Sequence, residues 1–364
     1  SDALSGRAHR YGEHMETAVG AHRGHDRVTI GDVARAAGVS IPTVSKVINN
    51  RDGVASATML RVQEVVERLG YETSLVARSL RSSRTGVIGI LVPEFEPFST
   101  ELLRGVSRAA IGTGYELLAY AGLVTGASQP GWERRSLSRL SGTLIDGAIV
   151  VTPSTPLSSS SIPVVAIDPH TGPEGHATVD TDNAGGARSA VEHLLALGHT
   201  RIAHIHGRAD LASAQLRETG YREALTAAGI PVDEDLVRAG DYQEDQATAV
   251  ACELLTAPDR PTAVFAANDS SAMGVLRAAA DLGLRVPEEL SVIGFDDVPQ
   301  ASMTTPPLTT VAQPLAELGA AAVDMLLAML RGEPGPDHVR MTTSLRVRRS
   351  TGPVPTEVRR VDAA

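Results

Sequence analysis

The chain has a single cysteine, a single tryptophan and no apolar run of the roughly 18 residues that a membrane span needs. The lone Cys252 can form neither a disulfide framework nor a cysteine metal site within one chain, and we expect no metal or other cofactor. His, Glu and Arg stand near the N-terminus where a secretory signal has an apolar stretch. These features predict a cytoplasmic protein that does not bind membranes.

Motifs of common enzyme classes are missing as well. The sequence has no G-x-S-x-G nucleophile turn, no G-x-x-x-x-G-K-[ST] phosphate loop and no H-E-x-x-H zinc motif. Gly112 and Gly114 follow a helical stretch rather than a strand, so they are not a dinucleotide fingerprint. We therefore expect a binding protein without catalytic residues.

The net charge of -10 is unevenly distributed along the chain. Residues 27–84 hold nine Lys and Arg against five Asp and Glu, a net of +4. With -1 on residues 1–26, residues 85–364 carry -13. One short basic segment suits nucleic acid, whereas the rest of the chain repels phosphate.

The basic segment has the pattern of short helices. Residues 1–26 show no periodicity and are predicted to be a tail, after which Thr29 to Asp32 forms a T-x-x-D capping box for a helix ending at Gly38. Ser40 caps a second helix that runs to about Asn49. Any small helical bundle could show this pattern, but the Gly-containing connection is typical of a helix-turn-helix, here over residues 27–73.

From residue 86 onward, apolar β-rich runs alternate with amphipathic helical stretches. This alternation predicts two α/β subdomains with parallel sheets flanked by helices and a cleft between them. The predicted strands are GVIGILV, YELLAY, IDGAIVV, PVVAI, RIAHIH, TAVFAA and LSVIGF. The predicted helices include residues 99–112, 182–197, 213–228, 243–256 and 270–282.

The strings VTIGDVARAAGVSIPTVSKVINN and GYETSLVARSLRSSRTGVIGILVPEFEPF resemble the lactose-repressor/galactose-repressor family, and the likeness continues to about residue 348. The resemblance implies a homodimer that binds near-palindromic operator DNA through the helix-turn-helix. It also implies a hinge helix at 74–85 and a periplasmic-binding-protein-like effector domain at 86–350. The expected subdomains are about 86–180 with 314–346, and about 182–312, followed by a C-terminal tail at 351–364.

The resemblance assigns the DNA contacts residue by residue. Leu80 holds the position of a leucine that wedges into the minor groove. The chain departs from the family at Pro42, at Thr73-Ser74 and at Ala55, where a serine often caps the third helix and Ser56 is expected to substitute. The DNA-binding set is Thr29, Ile41, Pro42, Thr43, Ser45, Lys46, Asn49, Tyr71, Ser74, Ala77, Leu80 and Arg81.

The resemblance also implies the residues of the effector site. Here Glu96-Pro97-Phe98-Ser99 stands in place of the family's N-P-F-F. Asp182, Asp269 and Asp297 are expected to cap helices, and Trp132 to pack on a surface helix. The predicted effector-binding set is Phe98, Ser99, Asp168, Ser213, Arg217, Tyr221, Asn268, Asp296 and Gln313.

The sequence therefore predicts a DNA-binding transcriptional repressor whose operator affinity is controlled by a mono- or oligosaccharide between two subdomains. The alternative is a secreted sugar-binding protein of similar fold, against which the basic segment and the missing signal argue. The C-terminus has no heptad run, which favours a dimer over a tetramer.

Overall fold

The computed structural model divides into two compact units, residues 1–77 and 78–364. The predicted tail at 1–26, Asn49 and the hinge residues Ser74, Ala77, Leu80 and Arg81 lie outside the described residues. The described residues are 28–48, 51–71, 84–122, 131–157, 160–171 and 176–360.

The first unit begins with the predicted capping box. The Thr29 side chain accepts a hydrogen bond from the backbone nitrogen of Asp32 at 3.3 Å, and the Asp32 carboxylate accepts one from the Thr29 nitrogen at 2.9 Å. Gly38 ends the first helix in the left-handed conformation, with φ of 63°. The helices are α1 (Ile30–Ala37), α2 (Ile41–Ile48) and α3 (Ser56–Leu69).

Small aliphatic side chains from all three helices form the core of this unit. The Ser40 hydroxyl accepts a hydrogen bond from the Thr43 nitrogen at 3.3 Å, which caps α2 as predicted. The expectation for Ser56 is wrong: it is the first helical residue, and Ala55 occupies the cap position without a side-chain hydrogen bond. The core residues are Val33, Ala34, Ala37, Val44, Val47, Val62 and Val65.

The second unit consists of two six-stranded sheets with flanking helices. Its strands are β1 (Val87–Val92), β2 (Glu116–Ala121), β3 (Gly147–Val151), β4 (Val164–Ile167), β5 (Ala177–Thr181), β6 (Ile202–His206), β7 (Val237–Ala239), β8 (Ala263–Ala266), β9 (Ser291–Asp296), β10 (Thr309–Ala312), β11 (His338–Met341) and β12 (Ser344–Arg346). Its helices are α4 (Pro97–Ala110), α5 (Trp132–Leu140), α6 (Asn183–Ala196), α7 (Ala212–Ala227), α8 (Glu244–Thr256), α9 (Asp269–Asp281) and α10 (Leu315–Arg331).

The strand order is β11-β5-β4-β3-β1-β2 in the first sheet and β12-β10-β9-β8-β6-β7 in the second. All neighbours pair in parallel except β12, which pairs antiparallel with β10. The central strands are buried along their whole length because helices cover both faces. Among the helices that the structure describes, none combines the length and the apolarity needed to cross a membrane.

Two predicted boundaries need correction. Residues 344–346 form β12 in the second sheet, so the first subdomain ends with β11 rather than at residue 346. The predicted C-terminal tail at 351–364 is, over its described residues 351–360, anchored to the second subdomain. The Gly352 carbonyl lies 3.0 Å from Nε2 of the buried His199, the Val354 nitrogen donates to the Leu197 carbonyl, and Arg359 pairs with Glu289 at 2.9 Å.

Helices α4 and α10 approach each other closely through glycines. A Cβ added at Gly105 would lie 2.1 Å from the carbonyl oxygen of Ala316, and one at Gly319 would lie 2.5 Å from that of Leu102. The neighbouring atoms belong to the backbone and cannot rotate away. Helix α10 follows β10, the point at which the chain returns from the second subdomain to the first. The contact with α4 fixes α10 against the first subdomain.

Substituting Gly105→Ala is therefore expected to lower the free energy of unfolding by about 1–3 kcal/mol, because the two helices must separate to admit the methyl group. Urea unfolding of the purified variant measures this loss. Gly335→Ala is the matched control, since its Cβ would meet nothing closer than 3.8 Å, and we expect a change below about 0.5 kcal/mol. Equal losses in the two variants would contradict the packing argument.

Candidate effector cleft and DNA-reading helix

A cleft of about 350 Å³ lies in the second unit, lined by both subdomains. Its walls come from segments that follow β1, β2, β3 and β4 on one side and from segments after β6, β7 and β8 with the end of β9 on the other. The carboxyl ends of parallel strands form the usual binding edge of such sheets. The volume is at the lower end of the range of about 300–1,000 Å³ typical of small-molecule sites.

A buried ion pair lies on the cleft wall of the second subdomain. Arg217 on α7 is 3% exposed and Asp296 at the end of β9 is 5% exposed, with Nη1 of the arginine 3.5 Å from Oδ1 of the aspartate. The guanidinium carbon is 3.8 Å from the centroid of the Phe295 ring, so the cation stacks on an aromatic face. The Arg217 guanidinium is held in place by hydrogen bonds from Nε to Asn183 at 2.8 Å and from Nη1 to the Ala267 carbonyl.

A network of amides joins the ion pair to two of the three places where the chain crosses between the subdomains. Nε2 of Gln313 donates to the Asp296 carboxylate at 2.8 Å, and its Oε1 accepts from the Thr181 hydroxyl at 2.6 Å. Asn183, which accepts from Arg217, donates to the Asp168 carboxylate at 3.3 Å. Because Thr181, Asn183 and Gln313 flank the crossings at 181–183 and 312–315, these hydrogen bonds link Arg217, Asp296 and Asp168 to the connections between the subdomains.

Three aromatic rings line the cleft: Phe98, Trp132 and Tyr242. Two of them pack against glycine. A Cβ at Gly122 would lie 2.0 Å from the Trp132 ring, and one at Gly207 would lie 2.2 Å from the Tyr242 ring. The Tyr242 hydroxyl is fixed by the Ser213 hydroxyl at 3.0 Å. The rings of Trp132 and Tyr242 are therefore held in place by close packing, in positions where an aromatic face can stack on an apolar surface.

Glu96 stands at the start of α4, where its side chain acts as the helix cap. Its carboxylate accepts hydrogen bonds from the Phe98 nitrogen at 2.6 Å and from the Ser99 nitrogen at 2.8 Å. The Ser99 hydroxyl donates to the same carboxylate. Burial raises the pKa of Glu96, and the neighbouring Glu94 acts in the same direction.

Positive φ angles outside glycine are concentrated near the cleft. Among the described residues they occur at Thr152, Asp168, Asp241, Tyr242, Asp296 and Asp297, and the first five line the cleft. This backbone conformation costs of order 1–3 kcal/mol for a residue with a side chain, and it is held only where the surrounding structure fixes it. Its concentration at strand ends is typical of a binding site.

Two buried carboxyls of the second subdomain have strongly altered acidity. Burial raises the pKa of Asp296 to about 7, although Arg217 and the Gln313 amide lower it. Burial also raises the pKa of Asp269 well above its usual value, and the charge of Asp296 adds to this effect. Asp269 accepts from the Val298 nitrogen at 2.9 Å and from the Thr310 hydroxyl at 2.6 Å, which fixes the loop after β9.

The structure brings six of the nine predicted effector residues to the cleft wall. Tyr221, Ser99 and Gln313 are not among the lining residues. Helix α7 starts at the cleft and runs away from it, so Tyr221 lies in the core with its hydroxyl donating to the Ile202 carbonyl at 2.8 Å. Ser99 positions Glu96, and Gln313 positions Asp296. The lining residues are Phe98, Asp168, Ser213, Arg217, Asn268 and Asp296.

The expectations for helix caps are only partly correct. Asp182 caps α6 through the Gly185 nitrogen at 2.9 Å, as predicted. Asp269 is not a cap, because Asn268 fills that role for α9 by accepting from the Ser271 nitrogen at 2.9 Å. Asp297 pairs with Arg348 at 2.5 Å instead of capping a helix.

Sequence reasoning missed several cleft residues. Trp132 was expected to pack on a surface helix, but it is 5% exposed and lines the cleft at the start of α5. Asp241 and Tyr242 follow β7, a strand of three residues that was not predicted. Other missed lining residues include Glu94, Thr152, Ser154, His170 and Arg208, each within a few residues of the end of a strand. The end of each predicted strand was the signal that could have found them.

On the first unit, α2 presents a distinct outer face. Ile41, at 49% exposure, Pro42 and Lys46 are exposed, whereas Val44 and Val47 are buried against the other helices. Thr43 and Ser45 are half-buried, with the Thr43 hydroxyl 2.9 Å from that of Ser40. Thr29 is used as the cap of α1, and Tyr71 packs at the edge of the core.

Family models match both units of the chain. The model described as bacterial regulatory proteins, lacI family, matches residues 29–74, and the periplasmic binding protein-like domain matches residues 191–351. The ribose operon repressor of Escherichia coli K12 is 38% identical over 310 residues, which cover 82% of this chain and 92% of the repressor. The chain therefore belongs to the LacI family of bacterial transcriptional regulators.

Solved structures agree with this assignment. The lac repressor dimer bound to operator and the anti-inducer ONPF is 28% identical with a TM-score of 0.77, covering 89% of this chain and 99% of that one. The transcriptional regulator CelR in complex with cellobiose is 35% identical with a TM-score of 0.67, covering 89% of this chain and 100% of that one.

Proposed function

We propose that this regulator is a repressor whose operator affinity is set by a mono- or oligosaccharide bound in the cleft. The observation that carries the proposal is the buried Arg217–Asp296 pair on the wall of a cleft that also holds Phe98, Trp132 and Tyr242. A guanidinium donates to sugar oxygens, a carboxylate accepts from hydroxyls, and an aromatic ring covers the apolar face of a sugar ring. The similarity to the ribose operon repressor and to the CelR–cellobiose complex supports this ligand class.

The proposed partner of the first unit is operator DNA. The exposed face of α2 carries Lys46, the only lysine of the chain, beside Ile41 and Pro42. An ammonium group suits phosphate or a guanine edge, and the apolar side chains suit a thymine methyl group. By analogy with the lac repressor dimer on its operator, we propose a homodimer on a near-palindromic site in the cytoplasm, with no cofactor besides the effector.

The amide network gives the proposed switch its mechanism. A sugar that bridges Asp168 of the first subdomain and Arg217 or Asp296 of the second would favour one relative orientation of the two. A ligand shifts such an equilibrium only by the difference between its affinities for the two orientations. The proposal therefore requires that operator affinity and sugar affinity change each other by the same factor.

Lys46→Ala is expected to weaken operator binding about tenfold and to reduce the slope of log affinity against log salt by about one, because one phosphate contact is lost. Fluorescence anisotropy measures both quantities on DNA fragments that the protein selects from a random library. Arg68→Ala is the control, since Arg68 is an exposed cation on α3 of the same unit. Equal effects of the two substitutions would contradict the role of α2 as the reading helix.

The raised pKa of Asp296, about 7, predicts pH-dependent sugar binding. Ligand hydroxyls donate to the ionised carboxylate, so affinity should rise about tenfold between pH 6 and pH 8. Calorimetry at both pH values measures the change. The Asp296→Asn variant should bind more weakly with a flat profile, and tighter binding at pH 6 than at pH 8 would contradict the assigned role.

A further inference from the structure

The charges around the cleft are strongly unbalanced. Both lining arginines already have a carboxylate partner: Arg217 pairs with Asp296 at 3.5 Å, and Arg208 pairs with Asp210 at 2.6 Å. The remaining basic side chain, His170, has its pKa lowered by burial and is neutral at neutral pH. Each arginine of the cleft therefore has a carboxyl group beside it, and the Arg217–Asp296 pair carries no net charge once Asp296 is ionised.

Several carboxylates of the cleft differ from the arginines in their ion pairing. Of the ion pairs among the described residues, none includes Glu94, Glu96, Asp168 or Asp241, although all four line the cleft. Glu96 and Asp168 both act to raise the pKa of Asp296, and Glu94 does the same to Glu96. Glu96 and Asp168 are therefore close enough to Asp296, and Glu94 to Glu96, for their negative charges to repel one another.

One of these charges is a departure from the family pattern. Glu96 caps α4 at the position where the resemblance leads one to expect asparagine, and a neutral asparagine would serve as a cap equally well. The carboxylate therefore adds a negative charge that the cap does not require. It lies on the same wall of the cleft as Phe98.

We infer that the cleft is selective by charge: it accepts uncharged and amino sugars and excludes sugar phosphates and sugar acids. This inference rests on the proposed function for the identity of the ligand, but the negative field that causes it is a property of the cleft alone. A cleft lined by one sign of charge concentrates ions of the opposite sign and repels ions of its own sign. An ammonium group would meet Asp168, Glu94 or Glu96, whereas a phosphate would meet the same carboxylates, and both lining arginines already lie beside a carboxyl group.

The field can be measured without knowing the ligand, because Trp132 is the only tryptophan of the chain and lies on the cleft wall. Its fluorescence is quenched with caesium, iodide and acrylamide, each normalised to free tryptophan amide. We expect the normalised quenching constant of caesium to exceed that of iodide by at least about twofold. The double variant Glu96→Gln/Asp168→Asn should bring the ratio towards one, whereas Glu223→Gln, an exposed carboxylate on α7, should leave it unchanged.

The second measurement is a thermal-shift series with matched ligands: glucose, glucosamine, glucose 6-phosphate and gluconate, with ribose and ribose 5-phosphate. We expect every responding ligand to be neutral or cationic, with each phosphorylated partner at least tenfold weaker. Iodide quenching equal to or above caesium quenching, or a sugar phosphate that binds more tightly than its parent sugar, overturns the inference. If no sugar binds, the sugar proposal fails, and the quenching ratio still decides whether the cleft excludes anions.

Discussion

The Arg217→Ala variant should lose about 3–5 kcal/mol of unfolding free energy and all response to sugar. The reason is that a nearly fully buried guanidinium, which stacks on the Phe295 ring and lies beside Asp296, would be replaced by a cavity. Asn183 and the Ala267 carbonyl would lose their donors as well. Chemical unfolding measures the stability loss, and Trp132 fluorescence in the presence of sugar measures the loss of binding.

Two further variants separate the stability effect from the binding effect. The double variant Arg217→Ala/Asp296→Asn removes the carboxyl group that must take up a proton to stay buried, so it should recover part of the lost stability but none of the sugar response. Arg188→Ala is the matched control, because its ion pair with Glu223 is exposed on both sides and should contribute at most about 1 kcal/mol. An Arg217→Ala protein that keeps both stability and sugar response would contradict our account of the cleft.

Acid should destabilise the second unit through His204. This histidine is fully buried on β6 between the rings of Tyr221 and Phe265, at centroid distances of 5.1 and 4.9 Å, and its Nδ1 lies 3.0 Å from the Phe265 carbonyl. Burial lowers the pKa of His204 from 6.5 to about 3. The unfolded chain therefore binds a proton below pH 6.5 that the folded protein accepts only near pH 3.

The stability that depends on a neutral His204 is complete above about pH 6.5 and is lost as the pH falls towards 3, by about 4–5 kcal/mol in total. The His204→Asn variant lacks this titration. Its unfolding free energy should therefore fall less steeply with acid, and the slopes of wild type and variant should differ by about 1.4 kcal/mol per pH unit. Urea unfolding at pH 4, 5, 6 and 7 gives both slopes. His206→Asn on the same strand is the control, and identical slopes for the wild type and His204→Asn would show that burial of this ring is not the cause.

The helix-turn-helix was the part of the fold that could be predicted best from sequence. Its signals are local: Thr29 and Asp32 form a capping box within one turn, and Gly38 ends α1 because it accepts the left-handed conformation. The long buried strands were equally clear, since parallel strands covered on both faces give continuous apolar runs. Strands β5, β7, β10, β11 and β12 were missed because they are short and contain polar or exposed residues.

The cleft was only partly predictable because its walls depend on contacts between distant segments. The family pattern led to Arg217 and Asp296, which face the cleft from α7 and β9. The same reasoning placed Tyr221 there, since it lies one helical turn from Arg217, but only the three-dimensional direction of α7 sends it into the core. Trp132 could not be placed from local pattern, because its position depends on packing against the Gly122 backbone.

The most direct test of the central claim is operator affinity measured by fluorescence anisotropy with and without a sugar that changes Trp132 fluorescence. Our account predicts a change in operator affinity of about 5- to 150-fold, the usual range for coupling between sites, and the same change in sugar affinity when operator is bound. Arg217→Ala/Asp296→Asn should bind operator but give no change with sugar. A sugar that binds in the cleft of the wild type while operator affinity stays constant would contradict the account.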